Sequence, residues 1–529
     1  MTVRKFFVIS GTVAVLLLTA WSLWWPPAAW AFLLVGPLVA LGVYDMVQRR
    51  HTVLRLYPVL GHLRFLFESV RKEIQQYFVE SDTNGRPINR EFRSLVYQRA
   101  KGERDTRPFG TIFDVYRDGY EWINHSLAPS KLNDRNPRVV FGDKNCSQPY
   151  AASPLNISAM SFGALSKNAI MALNKGARMG GFAHNTGEGG LSPYHLEYGA
   201  DVIWQIGTAY FGCRDEAGGF DAEKFRENAR RPEVKMIEIK LSQGAKPGHG
   251  GILPAAKLTE EIAAIRHVPM GQDVVSPPAH TAFDSPLGLL QFVVKLRELS
   301  GGKPVGFKLC VGNKCEFLGI CKAMVESDIT PDFITVDGAE GGTGAAPIEL
   351  TNSVGMPLRD ALVFVNRALT GIGLRGDIRV IASGKAISAF HMIRLLALGA
   401  DTVNAARAMM FALGCLQSRS CNTDKCPTGI ATQDPSRYKA LDIENKGERV
   451  YRYHAAMIDN LLEVLAAAGL DRFEQLAPRH IHQRVEGTLV KNYDEMYPPI
   501  PHGCLLTDDR VPEDWRADWA LADAHAWTY

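Results

Sequence analysis

RVIASGKAISAFHMIRLLALGADTVNAAR, running from Arg379 to Arg407, decides the fold. RVIASG is a short apolar run that stops at glycine, and ISAFHMIRLLALGA spaces its apolar residues at helical intervals before a second run, DTVNAA. Two apolar strands joined by one helix form a parallel unit, because only a crossover of that length returns the chain to the same edge. Working outward, the same alternation begins at Pro154. Further strand candidates are LNISAM, GGFAHNT, VKMIEIKL, DVVSPP, PVGFKLC and FITVDGA, with KNAIMALNKGARMG and PLGLLQFVVKLREL among the helices between them. Eight strands alternating with helices argue for an α/β fold closed as a TIM (β/α)8 barrel. An open doubly wound sheet is the alternative, yet no strand is followed by a clear G-x-G-x-x-G turn. In a barrel, the polar residues at the C-terminal strand ends carry the chemistry.

Five strand-end segments concentrate such residues. SAMSFGALS places Met160, Ser161 and Gly163 at a strand end, with Ser166 positioned to cap the next helix. HNTGEGG carries Glu188 among glycines that let backbone approach a ligand closely. KLSQGAKPGHGG sets Gln243, Lys246 and His249 on a glycine/proline loop suited to an anionic carboxylate. DGAEGGTG spans Asp337 to Gly344 and includes Gly338, Gly341 and Gly342. ASGKAIS places Ser383 and Gly384 after one strand, and NAAR brings Arg407 to the next. Phosphate sites in such barrels lie after the last two strands, against a helix N-terminus. Taken singly, each glycine turn also has a purely geometric reading. Lys308 sits in the apolar strand VGFKL, either as an ion-paired structural lysine or as a charge offered at the barrel mouth. His249 and His280 read first as hydrogen-bonded surface or core residues.

The run GCLQSRSCNTDKCPTG holds Cys415, Cys421 and Cys426 at C-x5-C-x4-C, with Pro427 directly after the last. Iron–sulfur clusters take thiolates from closely spaced cysteines on irregular loops, and a following proline stops the loop from rewinding. Three ligands suit three irons and four sulfides, one thiolate per iron. A zinc site asks for a tighter pair with a second pair or histidines, and neither follows. Buried small hydrophobes remain the bland alternative. Cys310, Cys315 and Cys321 show a similar spacing, but they start in a strand and continue into a helical stretch, so they read as core.

Together and in this order, SAMSFGALS, NTGEGG, KLSQGAKPG, DGAEGGTGAAP and the cysteine run resemble the FMN-binding synthase domain of glutamate synthase, from about Pro154 to Gln433. The resemblance implies a barrel of the FMN-dependent type with a 3Fe-4S cluster beside it. Reduced flavin would pass hydride to 2-iminoglutarate, formed from 2-oxoglutarate and ammonia, giving L-glutamate. Cys415, Cys421 and Cys426 would hold the cluster. Met160, Ser161, Lys308, Gly338, Gly341, Gly342, Ser383, Gly384 and Arg407 would contact FMN. Gln243 and Lys246 would bind the keto acid, and Lys308, Glu188 and Lys246 would be catalytic. An external electron donor, either a ferredoxin-like protein or a membrane carrier, is implied, and a homo-oligomer fits the same picture.

The departures from that family have consequences. Met1-Thr2 leads into an apolar helix instead of a nucleophilic cysteine, so no glutaminase activity is expected. His249 replaces the glutamate of the PGEGG version of its loop, which touches ammonia handling. The long C-terminal β-helical domain of the large enzymes is not seen. Two other readings stay open: an FMN barrel acting on another substrate (an amine giving N-alkylglutamate, a 2-hydroxy acid or an isoprenoid diphosphate), and an inactive membrane-anchored scaffold.

Composition and the N-terminus bound the rest. The net charge of this 529-residue chain is +3, and no basic stretch alternates with aromatics, so nucleic acid is not an expected partner. Phe6–Trp25 and Ala28–Val47 are apolar runs separated by Pro26 and Pro27, with Trp21, Trp24, Trp25 and Trp30 around the break. Arg4, Lys5, Arg49, Arg50 and Arg55 flank them, so a transmembrane hairpin is expected in the inner membrane, with the catalytic body on the cytoplasmic side. A signal peptide cleaved near Ala29-Trp30-Ala31 is the alternative, but a cluster on free thiolates fits a reducing compartment better. The expected organisation is a hairpin over 1–50, a helical collar over 51–150, the barrel over 151–435 and an extension over 436–529. In the collar, Phe65, Leu66, Val70, Ile74 and Phe78 recur at helical spacing and are expected to pack on the body, with a seat on the membrane surface as the alternative.

Overall fold

The computed structural model describes residues 1–132, 134–142 and 144–527. They divide into two compact units, Met1–Arg90 and Glu91–Tyr529. In the first, α1 (Val3–Trp24) and α2 (Phe32–Val47) are joined by a 3-10 turn over Pro26–Ala31. Thr2 caps α1 by accepting from the Lys5 N–H. Val3–Trp24 and Pro26–Val47, each 22 residues, are long and apolar enough to cross a membrane by length and composition. Short helices follow: α3 (Thr52–Leu56), α4 (Gly61–Ser69) and α5 (Arg71–Ile74). Asp45, buried in the last turn of α2, accepts from the Val59 N–H at 2.9 Å and from His62 Nε2 at 2.9 Å, which ties α4 back to the hairpin. Phe65, Leu66, Val70, Ile74 and Phe78 are exposed, Phe78 at 84%. α4 breaks at Val70, and Gln75–Val79 winds as a π-turn, so the even helical spacing does not resolve into one face.

The second unit begins with α6 (Arg90–Lys101), then β1 (Glu121–Ile123) and a hairpin of β2 (Val139–Phe141) and β3 (Tyr150–Ala152). That hairpin covers the N-terminal end of the barrel, with the Phe141 ring edge-on to Phe333 and the Tyr150 hydroxyl on Asp201. The barrel strands are β4 (Leu155–Ile157), β5 (His184–Asn185), β6 (Val202–Ile206) and β7 (Val234–Lys240). β8 (Ile252–Leu253) and β9 (Val274–Val275) form a separate antiparallel ribbon, before β10 (Val305–Leu309), β11 (Phe333–Asp337), β12 (Arg379–Ser383) and β13 (Thr402–Ala405) complete the closed barrel against β4. The expected parallel barrel is present with one strand exchanged. DVVSPP contributes only the ribbon strand β9, and the third barrel strand is VIWQI. All five VIWQI residues are buried, so the segment shows no alternation to mark it as a strand. The prolines after Val275 stop that run from extending.

Helices α7 (Lys167–Gly180), α8 (Ala222–Ala229), α9 (Glu260–Arg266), α10 (Pro286–Leu299), α11 (Lys314–Ser327), α12 (Ile348–Ser353), α13 (Leu358–Gly371), α14 (Ala389–Ala397) and α15 (Arg407–Leu413) occupy the crossovers and their loops. Ser166 caps α7 as expected, accepting from the Ala169 N–H. Cys310, Cys315 and Cys321 are buried at the end of β10 and along α11, as their setting in the sequence indicated. α16 (Pro435–Tyr438) and α17 (Ile443–Ala467) follow the cysteine loop. α17 lies along α7 at backbone distance, since a Cβ on Gly176 would fall 2.7 Å from the Gly447 carbonyl oxygen.

Two buried carboxylates organise this unit. Glu238, wholly buried inside the barrel, accepts from Asn185 Nδ2 (2.8 Å), Gln205 Nε2 (2.6 Å) and Thr335 Oγ1 (2.6 Å). Glu121, 6% exposed, takes Arg359, Arg394 and the Tyr493 hydroxyl. It thereby joins the sheet of β1, β14 (Ile481–Glu486) and β15 (Leu489–Asn492) to α13 and α14.

Replacing Glu238 by alanine strands three buried donors at about 1–3 kcal/mol each. Denaturant unfolding of Glu238→Ala should therefore show a loss of at least about 3 kcal/mol, with Glu238→Gln retaining part of it. Buried histidines set a second expectation. Burial lowers His195 and His280 to about 4, and His391 and His454 to about 3. The unfolded chain binds those protons near pH 6.5, whereas the native state refuses them until much lower pH. Stability should thus be full above pH 6.5 and fall with acidification at about 1.4 kcal/mol per pH unit per histidine. His454→Gln should flatten that slope between pH 6 and 4.5.

Candidate active site at the barrel mouth

Side chains alternate along a strand, so Glu238 and Lys240 of β7 share the inward face, with Lys240 one step nearer the C-terminal mouth. Pairing sets Lys308 of β10 beside Lys240 and Asp337 of β11 beside Ser383 of β12. Lys308 Nζ lies 3.7 Å from Asp337 Oδ2, which also accepts the Gly244 N–H at 3.1 Å. Lys308 is thus ion-paired, near the C-terminal end of β10.

Glu188 is the electrostatic centre. Lys240 Nζ is 2.7 Å from its carboxylate. Glycines close around it: a Cβ at Gly251 would fall 2.2 Å from Glu188 Oε1, and one at Gly207 would fall 2.7 Å from its Cβ. Burial would push the Glu188 carboxyl up, but Lys240, Lys246 and Arg266 bring it below the ordinary range, so it is ionised. Burial lowers Lys240, with Glu188 opposing and Lys308 reinforcing the effect. Lys246 drops to about 8, again through burial, and donates to the Ala345 carbonyl at 2.9 Å. Arg266 donates to the Phe162 carbonyl at 3.0 Å. His280 donates from Nε2 to the Lys240 carbonyl (2.9 Å) and accepts the Tyr210 hydroxyl at Nδ1 (3.1 Å). It is a neutral core residue that fixes the end of β7.

The loops expected to meet FMN crowd the same mouth. A Cβ at Gly244 would strike the Gly338 carbonyl oxygen at 1.7 Å, and one at Gly342 would meet Arg407 Nε at 2.7 Å. Arg407 donates to the Glu340 carbonyl at 2.8 Å, which binds the start of α15 to the DGAEGG loop that also holds Gly341. Ser383 Oγ is 3.2 Å from Ser158 Oγ, and Gly384 packs under Leu358. Met160 and Ser161 stand at the end of β4, where a Cβ at Gly187 would fall 2.8 Å from the Ser161 nitrogen. Gln243 Nε2 is buried with no hydrogen-bond partner among the described residues, an orphan donor on the expected substrate loop. Lys240, Lys246, Lys308 and Arg266 outnumber the carboxylates of Glu188 and Asp337. That balance suits anionic occupants.

After α15 the chain turns at Gly414 and enters the cysteine loop, where Gln417, Arg419 and Asp424 take left-handed conformations (φ 56°, 54° and 59°). Cys415 Sγ accepts the Gln417 N–H at 3.4 Å. Burial alone would push the Cys426 thiol up, but the Thr428 hydroxyl and the N–H groups of Ala431, Thr428 and Ile430 bring it down. Cys415 is pushed up to about 12 by burial and by the approach of Cys421 and Cys426. Among the described residues no three His, Cys, Asp or Glu side chains converge on one metal ion. Thiolates that each bind a different iron do not need to converge. The left-handed turns and the N–H groups aimed at sulfur fit such a cluster. The loop is sewn to SAMSFGALS: Gln433 Nε2 donates to the Gly163 and Leu165 carbonyls (3.0 and 2.8 Å), and Ser166 Oγ to Gly429 (2.7 Å). Lys257 bridges the Ala164 and Cys421 carbonyls at 2.5 and 3.3 Å.

Sequence reasoning missed Lys240, Arg266, Lys257 and the Asp337 ion pair. For Lys240 a signal existed, because VKMIEIK places Glu238 and Lys240 two apart on one face of the strand, with Lys235 on the other.

The family model described as the conserved region in glutamate synthase matches residues 117–471. The glutamate synthase large subunit-like protein YerD of Bacillus subtilis is 36% identical over 495 residues, which is 86% of this chain and 94% of that relative. The archaeal glutamate synthase [NADPH] of Methanocaldococcus jannaschii is 37% identical over 325 residues, covering 61% of this chain and 60% of its own. The archaeal-type glutamate synthase [NADPH] of Thermotoga neapolitana is 35% identical over 324 residues, 61% of each chain. With its barrel, its strand-end loops and these relatives, the chain belongs to the glutamate synthase family of oxidoreductases.

Proposed function

We propose that this chain reductively aminates 2-oxoglutarate to L-glutamate, using FMN and a 3Fe-4S cluster and without hydrolysing glutamine. The observation that carries this reading is the stitching of the cysteine loop to the first strand-end loop of a mouth that gathers four buried cations. Met160, Ser161, Lys308, Gly338, Gly341, Gly342, Ser383, Gly384 and Arg407 would hold FMN, and Cys415, Cys421 and Cys426 the cluster. When bound, these groups supply hydride and single electrons respectively.

The chain's own residues do the rest. Lys246 and Gln243 bind and orient a substrate carboxylate, the Gln243 amide gaining the partner it lacks. Ionised Glu188 stabilises the positive charge that develops on nitrogen as ammonia adds to the keto carbon and water leaves. Lys240 keeps Glu188 charged for that task, and Lys308 offsets negative charge at the cofactor side. Glycines at 207 and 251 shield the carboxylate. The electron donor in this reading is external, either a ferredoxin-like protein or a membrane carrier. The N-terminal pair of apolar helices supports a membrane hairpin, and the basic residues flanking it, Arg4, Lys5, Arg49, Arg50 and Arg55, support a catalytic unit on the cytoplasmic side.

Purified in detergent and isolated anaerobically, the protein should show flavin absorbance and an iron–sulfur paramagnetic resonance signal. Cys421→Ser should abolish the second and keep the first. Under chemical reduction, 2-oxoglutarate with ammonia should yield glutamate; N-methylglutamate formed from methylamine with ammonia inactive, glutamate formed with glutamine alone as nitrogen source, or no product at all, would overturn the assignment. Reduction by ferredoxin but not by NADPH would support the external donor, whereas direct NADPH oxidation would remove it. Lys246→Met should raise KM for 2-oxoglutarate about 10- to 100-fold, the loss of one charge-assisted bond. In the wild type, KM should climb above pH 8 as Lys246 gives up its proton, and Lys246→Met should lose that dependence.

A further inference from the structure

The cysteine loop is contacted by a helix from outside the region that the family model matches. α6 precedes residue 117 and reads REFRSLVYQRAK. Arg93 and Tyr97 are four apart on it and so share one face. Tyr97 donates its hydroxyl to the Cys415 carbonyl at 2.5 Å, and its ring meets Phe411 of α15 edge-on at 6.0 Å. The same face therefore presents Arg93 to the start of the cysteine loop. Arg93 is only 3% exposed, and its Nη1 is buried with no hydrogen-bond partner among the described residues. An unpaired buried guanidinium nitrogen is costly unless a negative group faces it. Its charge does reach Cys415, acting against the burial that pushes that thiol up.

From another side of the loop comes Lys257, 2% exposed, bonded to the Cys421 carbonyl and balanced in part by Asp424. Two buried cations thus flank three thiols. Three thiolates around iron and sulfide make an anionic group, which gains a further negative charge on reduction. Cations held nearby in a poorly solvated setting favour the reduced form.

We propose that Arg93 is a positioning and charge-balancing residue for the iron–sulfur cluster, held against Cys415 by Tyr97 on a helix outside the barrel, and that it raises the cluster's reduction potential. This rests on the cluster reading given above. Arg99 supplies the internal control, because on the same helix it bonds Asp105 (2.8 Å) and the Met457 sulfur (3.3 Å) instead.

The test is a potentiometric titration of the full chain in detergent, followed by paramagnetic resonance. Arg93→Gln should move the midpoint to lower potential, Arg93→Lys should restore most of the shift, and Tyr97→Phe should give a smaller shift of the same sign. Arg99→Gln should lower thermal stability and leave the potential where it was. Unmoved potentials in both Arg93→Gln and Tyr97→Phe would overturn the proposal, as would Arg93→Lys matching Arg93→Gln. If Arg93→Gln fails to assemble, Tyr97→Phe decides alone. A wild-type protein with no cluster signal would instead defeat the cluster reading itself.

Discussion

The structure depends on two opposite charges carried inward by one strand. Glu238 and Lys240 lie two residues apart on β7, so the pleat points both into the barrel. Neither can be left unpaired in that interior without a cost of several kcal/mol. Glu238 is met by donors from β5, β6 and β11, which ties the register of four strands to one carboxylate. Lys240, one step nearer the mouth, is met by Glu188 from the loop after β5. A slip of one residue in β7 would turn both charges outward and strand their partners. The polar layer that closes the barrel core also aims the residues above it.

Above that layer, the site is built by close approach. Cβ atoms at Gly187 and Gly244 would strike the backbone of neighbouring loops at Ser161 and Gly338, and those at Gly207, Gly251 and Gly342 would strike the Glu188 and Arg407 side chains. Successive strand-end loops thus meet with no room for a side chain at these places. Side chains at these places would force the loops apart and loosen the ring of cations around Glu188. Glycine costs conformational entropy at each one, and the packed mouth is what the chain obtains in exchange. The cysteine loop joins the same ring through Gln433, Ser166 and Lys257, so its sulfur atoms hang from the first strand-end loop and not from a separate domain.

The periphery holds the barrel from outside. Glu121 gathers Arg359, Arg394 and Tyr493 and so fastens residues from before and after the barrel to two of its helices. α6 does the equivalent at the cysteine loop. The Glu121 contact uses charges in low-dielectric surroundings, where geometry decides whether a pair stabilises or destabilises, whereas α6 uses the Tyr97 hydroxyl on the Cys415 carbonyl.

Much of this was legible in the chain itself. The helix start at Ser166, the strand-end loops and the cysteine spacing are local signals, governed by capping, turn sterics and ligand chemistry. β6 was not legible, because VIWQI is buried on both sides and carries no alternation. The stripe from Phe65 to Phe78 does not form one continuous helix, because a break at Val70 and a π-turn interrupt a periodicity that the letters retain. Which charge meets which was decided only by tertiary structure. Glu188 and Lys240 are 52 residues apart, and Glu121 and Arg394 are 273 apart. Sequence fixes where each group sits on its own strand or helix, but only barrel closure and register bring such partners within reach of one another.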